Sequence, residues 1–176
     1  NDSLTGTATL TLRALRELRV VPLALASTLR IQQAELHQGG DLWAPVAVVQ
    51  EREKEDSDVV VVLPSPVAKG TEFQIRLRYA GDEVLFDAGF DTWYPNAGGF
   101  LDPATFDLRF EVPDDFDLVA VGERSEVSTV EKRQVSRWTS EQPIRVAGFN
   151  YGKFERFSQT DEISGVEVAI YANPKG

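Results

Sequence analysis

Period-two alternation of apolar and polar residues limits this chain more than any other feature. It runs through Thr7-Ala8-Thr9-Leu10-Thr11-Leu12 and through Phe73, Ile75, Leu77 and Tyr79 set against Gln74, Arg76 and Arg78. It returns in Phe106, Leu108, Phe110 and Val112, and in Val166, Val168 and Ile170. Successive side chains of a strand point to opposite faces, so the pattern predicts antiparallel strands with one face on a core. Val59 to Leu63 is apolar throughout and follows the charged run Glu51 to Asp58. That run reads as an exposed hairpin connection from a strand over Trp43 to Gln50. Turn formers separate these stretches at short intervals: Gly39-Gly40, Pro64-Ser65-Pro66, Lys69-Gly70, Ala80-Gly81-Asp82, Gly98-Gly99, Pro113-Asp114-Asp115 and Ser164-Gly165. Leu12, Leu15 and Leu18 fit a helical stripe, but no strong cap precedes them, and a strand followed by a turn is the preferred reading. The expectation is a mainly β single domain over residues 1–172, a large curved, saddle-shaped antiparallel sheet or β-sandwich. Residues 173–176 then begin a linker.

The same residues restrict the chemistry. With 28 acidic against 18 basic side chains the formal charge is −10, which repels nucleic acid and anionic membrane surfaces. No apolar run approaches the roughly 20 residues of a membrane-spanning helix. The absence of cysteine removes disulfides, thiolate catalysis and cysteine-ligated metals. His37 is the single histidine. A zinc site of the H-E-x-x-H type needs two on one helix, so none can be built here, and the G-x-S-x-G elbow of a serine hydrolase is missing too. His37 reads instead as a strand-end residue before Gly39-Gly40. Asp114, Asp115 and Asp117 suit a turn after Pro113 better than a calcium loop, because the spacing and terminal glutamate of that loop are absent. No catalytic residue, metal ligand or cofactor is expected in these residues.

Phe86 to Phe100 holds more aromatic residues and glycines than a turn requires. Trp93, Tyr94, Asn96 and Phe100 are the candidate interface or cleft-lining residues. Packing at a sheet edge explains the rings equally well. Two rival functions stay open: a carbohydrate-binding sandwich stacking sugar on Trp93, Tyr94 and Phe100, and a glycosidase using two carboxylates about 5–10 Å apart.

The order of short motifs is similar to the N-terminal domain of the gluzincin aminopeptidases, the aminopeptidase N-like zinc metallopeptidases. Those motifs are Arg78-Tyr79-Ala80-Gly81, Trp93-Tyr94-Pro95, Asp102-Pro103-Ala104-Thr105-Phe106, Val112-Pro113 and Leu118-Val119-Ala120-Val121-Gly122. Trp138, Pro143, Ala147 to Gly152 and Val166 to Tyr171 resemble the closing strands of that domain. The resemblance implies a non-catalytic lobe that packs against a catalytic domain of the same polypeptide, where the zinc would sit, and that shapes the cleft for a peptide substrate. Family habit suggests a periplasmic or secreted setting. The Gln-x-Glu or Gln-x-Gln element that recognises the substrate amine in better-known relatives is missing from Leu85 to Trp93; Asp87 and Asp91 are the nearby carboxylates, and the resemblance carries that role over to neither.

Overall fold

The computed structural model describes residues 3–51, 58–82, 92–97 and 101–173. The described residues are almost entirely strand and loop, with antiparallel pairing throughout. The chain divides into two compact units, one reaching Asp102 and one starting at Pro103.

The first unit contains β1 (Ser3–Arg13), β2 (Leu18–Ala24), β3 (Leu29–Gly39), β4 (Leu42–Pro45), β5 (Ala47–Gln50), β6 (Asp58–Val67) and β7 (Glu72–Asp82). They form two sheets, ordered β1-β7-β3-β4 and β2-β6-β5. Alternation along β6 and β7 sends Val59, Val61, Leu63, Ile75, Leu77 and Tyr79 inward, where they meet Val21, Leu23, Leu29 and Ala34 in one buried cluster. Two sheets sharing an apolar layer make this unit a sandwich. Each fully buried aliphatic side chain of that layer contributes roughly 1.5–3 kcal/mol, so the alternation alone suffices to fix which face turns inward.

Four local expectations meet a physical test in this unit. Pro64-Ser65-Pro66 and Ala80-Gly81-Asp82, expected as turns, lie inside β6 and β7: the β2–β6 register shifts between Leu18 and Val20 alongside the prolines, and Gly81 is paired on both sides, with Leu4 and Leu29. Leu15 is 82% exposed and lies between β1 and β2, so the leucine stripe is a strand end and a turn. The stretch Trp43 to Gln50, expected as one strand, divides: β4 pairs with β3 and β5 pairs with β6, in different sheets. Pro45 has no amide hydrogen to carry the ladder onward, and the amide of Val46 donates to the carbonyl of Ala34 at 3.0 Å as the chain changes sheet. Just beyond, Gln50 completes the corner. Its Oε1 accepts from the amide of Ile31 at 3.0 Å and its Nε2 donates to the carbonyl of Leu29 at 2.9 Å, so the side-chain amide serves β3 as a strand neighbour would.

The second unit contains β8 (Asp107–Pro113), β9 (Asp117–Ala120), β10 (Glu123–Val130), β11 (Arg133–Thr139), β12 (Phe149–Gly152), β13 (Glu155–Thr160) and β14 (Glu167–Ala172). Its sheets are β10-β11-β8, β12-β9 and β13-β14. Leu118, Ser136, Trp138 and Ala147 are buried here, and Phe110 packs on Phe149 with ring centroids 5.1 Å apart. Glu131 and Lys132 close the β10–β11 hairpin with φ of 49° and 64°, a primed two-residue turn made without glycine. The aspartates after Pro113 do form a turn: the amide of Phe116 donates to the carbonyl of Pro113 at 3.1 Å, and Asp115 pairs with Lys153 at 3.4 Å. One expectation changes. Val166, Val168 and Ile170 were expected to face a core, yet each is more than half exposed, because the hairpin β13–β14 has no third strand or opposing sheet among the described residues.

Candidate functional site

Trp93, Tyr94 and Asn96 lie on a short segment, residues 92–97, held against the end of β2. The amide of Ala24 donates to the carbonyl of Asn96 at 2.8 Å, and the amide of Asn96 returns a bond to the carbonyl of Ala24 at 2.9 Å. The amide of Ala26 donates to the carbonyl of Thr92 at 2.8 Å, and the Thr92 hydroxyl donates to the carbonyl of Tyr94. Thr92, Pro95 and Asn96 are buried, while Trp93 and Tyr94 are half-buried. The two rings meet edge to face, centroids 5.2 Å apart and planes at 77°. Three backbone bonds to Ala24 and Ala26 and one from the Thr92 hydroxyl anchor the main chain of this segment, and the crossed rings form no coplanar pair. Phe86, Asp87, Asp91 and Phe100 fall outside the described residues.

A second constellation on the β3–β4–β7 sheet escaped the sequence reading. Arg76 lies over the Trp43 ring at 4.3 Å and forms an ion pair with Glu35 at 2.8 Å. His37 packs on the other side of the pairing, its ring centroid 4.9 Å from that of Trp43. Its Nε2 is 2.7 Å from the carbonyl of Gly40; a carbonyl only accepts, so Nε2 carries the hydrogen. Cross-strand register sets this arrangement, since Glu35 is opposite Arg76 and His37 is opposite Trp43. His37 therefore braces a turn, and no partner of the kind needed for nucleophilic catalysis is bonded to that nitrogen.

Among the described residues, three carboxylates have displaced acidity, and each is shifted downward. A hydrogen bond from Arg137 is the main cause at Asp107, one from Arg156 at Glu167, and one from the Ser164 hydroxyl at Asp161. A glycosidase acid needs displacement in the opposite direction. Among the described residues no three histidine, cysteine, aspartate or glutamate side chains are grouped to hold a metal ion. With one histidine and no cysteine in the sequence, neither an H-E-x-x-H zinc site nor a cysteine-ligated one can be built from this chain.

No protein-family model matches the sequence, and no curated protein matches it significantly. Solved structures do match. An M1 zinc metallopeptidase mutant from Deinococcus radiodurans superposes with a TM-score of 0.74 at 24% identity, covering 95% of this chain and 42% of its own. The mutant bound to a Tyr-Ser-Ala substrate gives 0.73 at 25% identity over the same shares. A two-domain M1 zinc metallopeptidase mutant bound to L-tryptophan gives 0.70 at 27% identity, again with 95% and 42% covered. The chain is similar in fold to a part of these zinc metallopeptidases. It spans less than half the length of the chains it matches.

The fold explains why the short motifs of this chain take the form they do. Tyr79 of Tyr79-Ala80-Gly81 is 2% exposed, and its ring lies over Gly6 on the paired strand β1, where an added Cβ would come within 2.5 Å of Tyr79 Cζ. Gly81 abuts the backbone of Thr28 and Leu29 so closely that a Cβ would land on the Thr28 carbonyl. Gly122 of Ala120-Val121-Gly122 has φ of 90°, and a Cβ there would meet the carbonyl of Thr139. These motifs thus encode close backbone approaches and a left-handed turn, which are requirements of the fold.

Proposed function

We propose that residues 1–172 are the non-catalytic N-terminal β-domain of a zinc metallopeptidase, with 173–176 beginning the link to its catalytic domain. In this reading the domain packs against the catalytic domain of the same polypeptide and shapes one wall of the cleft that receives a peptide. Trp93, Tyr94 and Asn96, with Phe100, line that interface or cleft, and zinc resides in the partner domain. One observation carries the reading: 95% of this chain superposes on 42% of a zinc metallopeptidase, while the chain itself lacks the ligands for zinc. The main-chain anchoring of residues 92–97 to β2 supports the role given to Trp93 and Tyr94, since a wall positions substrate only if the backbone that carries it is held in place. The crossed planes of those rings count against a coplanar sugar-stacking platform.

The test is activity and metal content measured side by side. The complete natural polypeptide is expected to contain zinc and to release aminoacyl-naphthylamide fluorescence that a chelator abolishes. The 176-residue chain alone is expected to do neither. Hydrolysis by the chain alone, or a complete polypeptide with no zinc, ends the proposal.

A further inference from the structure

The hairpin β13–β14 has two chemically different faces. Antiparallel partners share a face, and the register pairs Phe157 with Ile170, Gln159 with Val168, and Arg156 with Tyr171. One face is internally satisfied. Arg156 donates to the Tyr171 hydroxyl at 3.2 Å, to Ser158 at 2.8 Å and to Glu167 at 2.6 Å. The other face presents Phe157, Val168 and Ile170, exposed by 57%, 61% and 63%, with Val166 continuing the row at 57% and with Gln159 and Glu155 as its polar members.

Two strands without a third are marginal in water, so a hairpin with an apolar face needs a cover to hold its shape. We infer that this face is the docking surface for the zinc-bearing domain of the same polypeptide, an inference that rests on the function proposed above. Two observations choose that occupant. The matching structures are chains in which more than half the length lies outside the match, and two of them are described as two-domain zinc metallopeptidases, so the fold occurs together with a second domain. A second copy of this chain is disfavoured because each copy brings a charge of −10 to the encounter. The polar face, already bonded within itself, remains toward solvent.

The chain has no cysteine, so single substitutions give clean labelling sites. Val168→Cys reports on the apolar face and Thr160→Cys on the polar one, with Ile170→Cys repeating the first. Maleimide labelling rates are compared in the 176-residue chain and in the complete natural polypeptide. The expected result is a fall of about tenfold or more at position 168 in the complete polypeptide, with position 160 unchanged, because labelling then waits for local opening. Equal rates at position 168 in the two proteins overturn the inference. Protection of position 168 that grows with concentration of the 176-residue chain overturns it in favour of a second copy. Zinc content of the same preparation separates the two claims. Zinc with an unprotected position 168 overturns the docking surface and leaves the peptidase reading standing. Protection without zinc overturns the peptidase reading, and with it the occupant named here.

Discussion

Replacing Gly81 by alanine tests the claim that the Tyr79-Ala80-Gly81 motif records a close approach of two backbones. Gly81 lies within β7, opposite Leu4 on one side and Leu29 on the other. Its strand conformation suits any residue, so the substitution carries no torsional penalty, and the whole effect is steric. The new Cβ would overlap the carbonyl of Thr28 and stand 3.1 Å from Leu29 Cα. A flexible side chain could swing away, but these are main-chain atoms, and Leu29 is fully buried in the core. Relief therefore requires β3 to move away from β7 at the point where the two sheets share their apolar layer. Overpacking of a well-filled site costs typically 1–3 kcal/mol, and a backbone clash belongs at the upper end, about 3 kcal/mol. At roughly 2–4 °C per kcal/mol for a chain of this size, Tm should fall by about 6–12 °C. Gly148, around which an added Cβ finds nothing within 4 Å, is the matched control, and Gly148→Ala should shift Tm by under about 2 °C. Thermal unfolding followed by far-ultraviolet circular dichroism reads both. If the two variants melt together, the steric account of the motif is wrong.

Other consequences follow from particular residues. Gln50→Glu keeps an acceptor for the Ile31 amide but loses the donor to the Leu29 carbonyl, so it should destabilise by about 1–3 kcal/mol at pH 7. That loss should shrink as pH falls and the carboxyl regains a hydrogen, which denaturant titrations at pH 7 and pH 4 can compare. Burial pushes the Tyr79 phenol above its ordinary value. A proton held more tightly in the folded state means full stability below the unfolded value of ~10 and a loss as pH climbs past it. Tyr79→Phe should therefore flatten alkaline unfolding monitored by circular dichroism, and an unchanged alkaline midpoint refutes the assignment. Ile170→Lys on the exposed hairpin face should change the Tm of the 176-residue chain by no more than about 2 °C. In the complete polypeptide the same change should lower Tm clearly, because it places a charge in a covered surface; equal shifts in both proteins count against the docking surface.

The strands with strict alternation were readable because burial of one face imposes a period of two on the residues themselves; β1, β7 and β8 were found this way. The strand β10 was not, since all eight of its residues are exposed and it has no apolar row to betray it. Its turn at Glu131 and Lys132 also lacks the Asn-Gly or Asp-Gly signature that marks a primed hairpin. The Arg76–Trp43–Glu35 group was equally invisible, for its members are up to 41 positions apart and meet only through register. Trp93 and Tyr94 could be picked out as an unusual aromatic pair, but not their edge-to-face angle or the bonds that pin them to β2.

The linear order of residues determined on its own that this chain is built of strands, that it carries a strong negative charge, and that it cannot assemble a zinc site of the H-E-x-x-H type. Those conclusions need only local periodicity and a count of side chains. Tertiary structure decided which sheet each strand joins, why Gly81 and Gly122 must lack a side chain, and that the alternating residues of β14 face outward. The physical reason is that alternation fixes that one face of a strand is apolar, whereas what covers that face depends on partners distant in the chain.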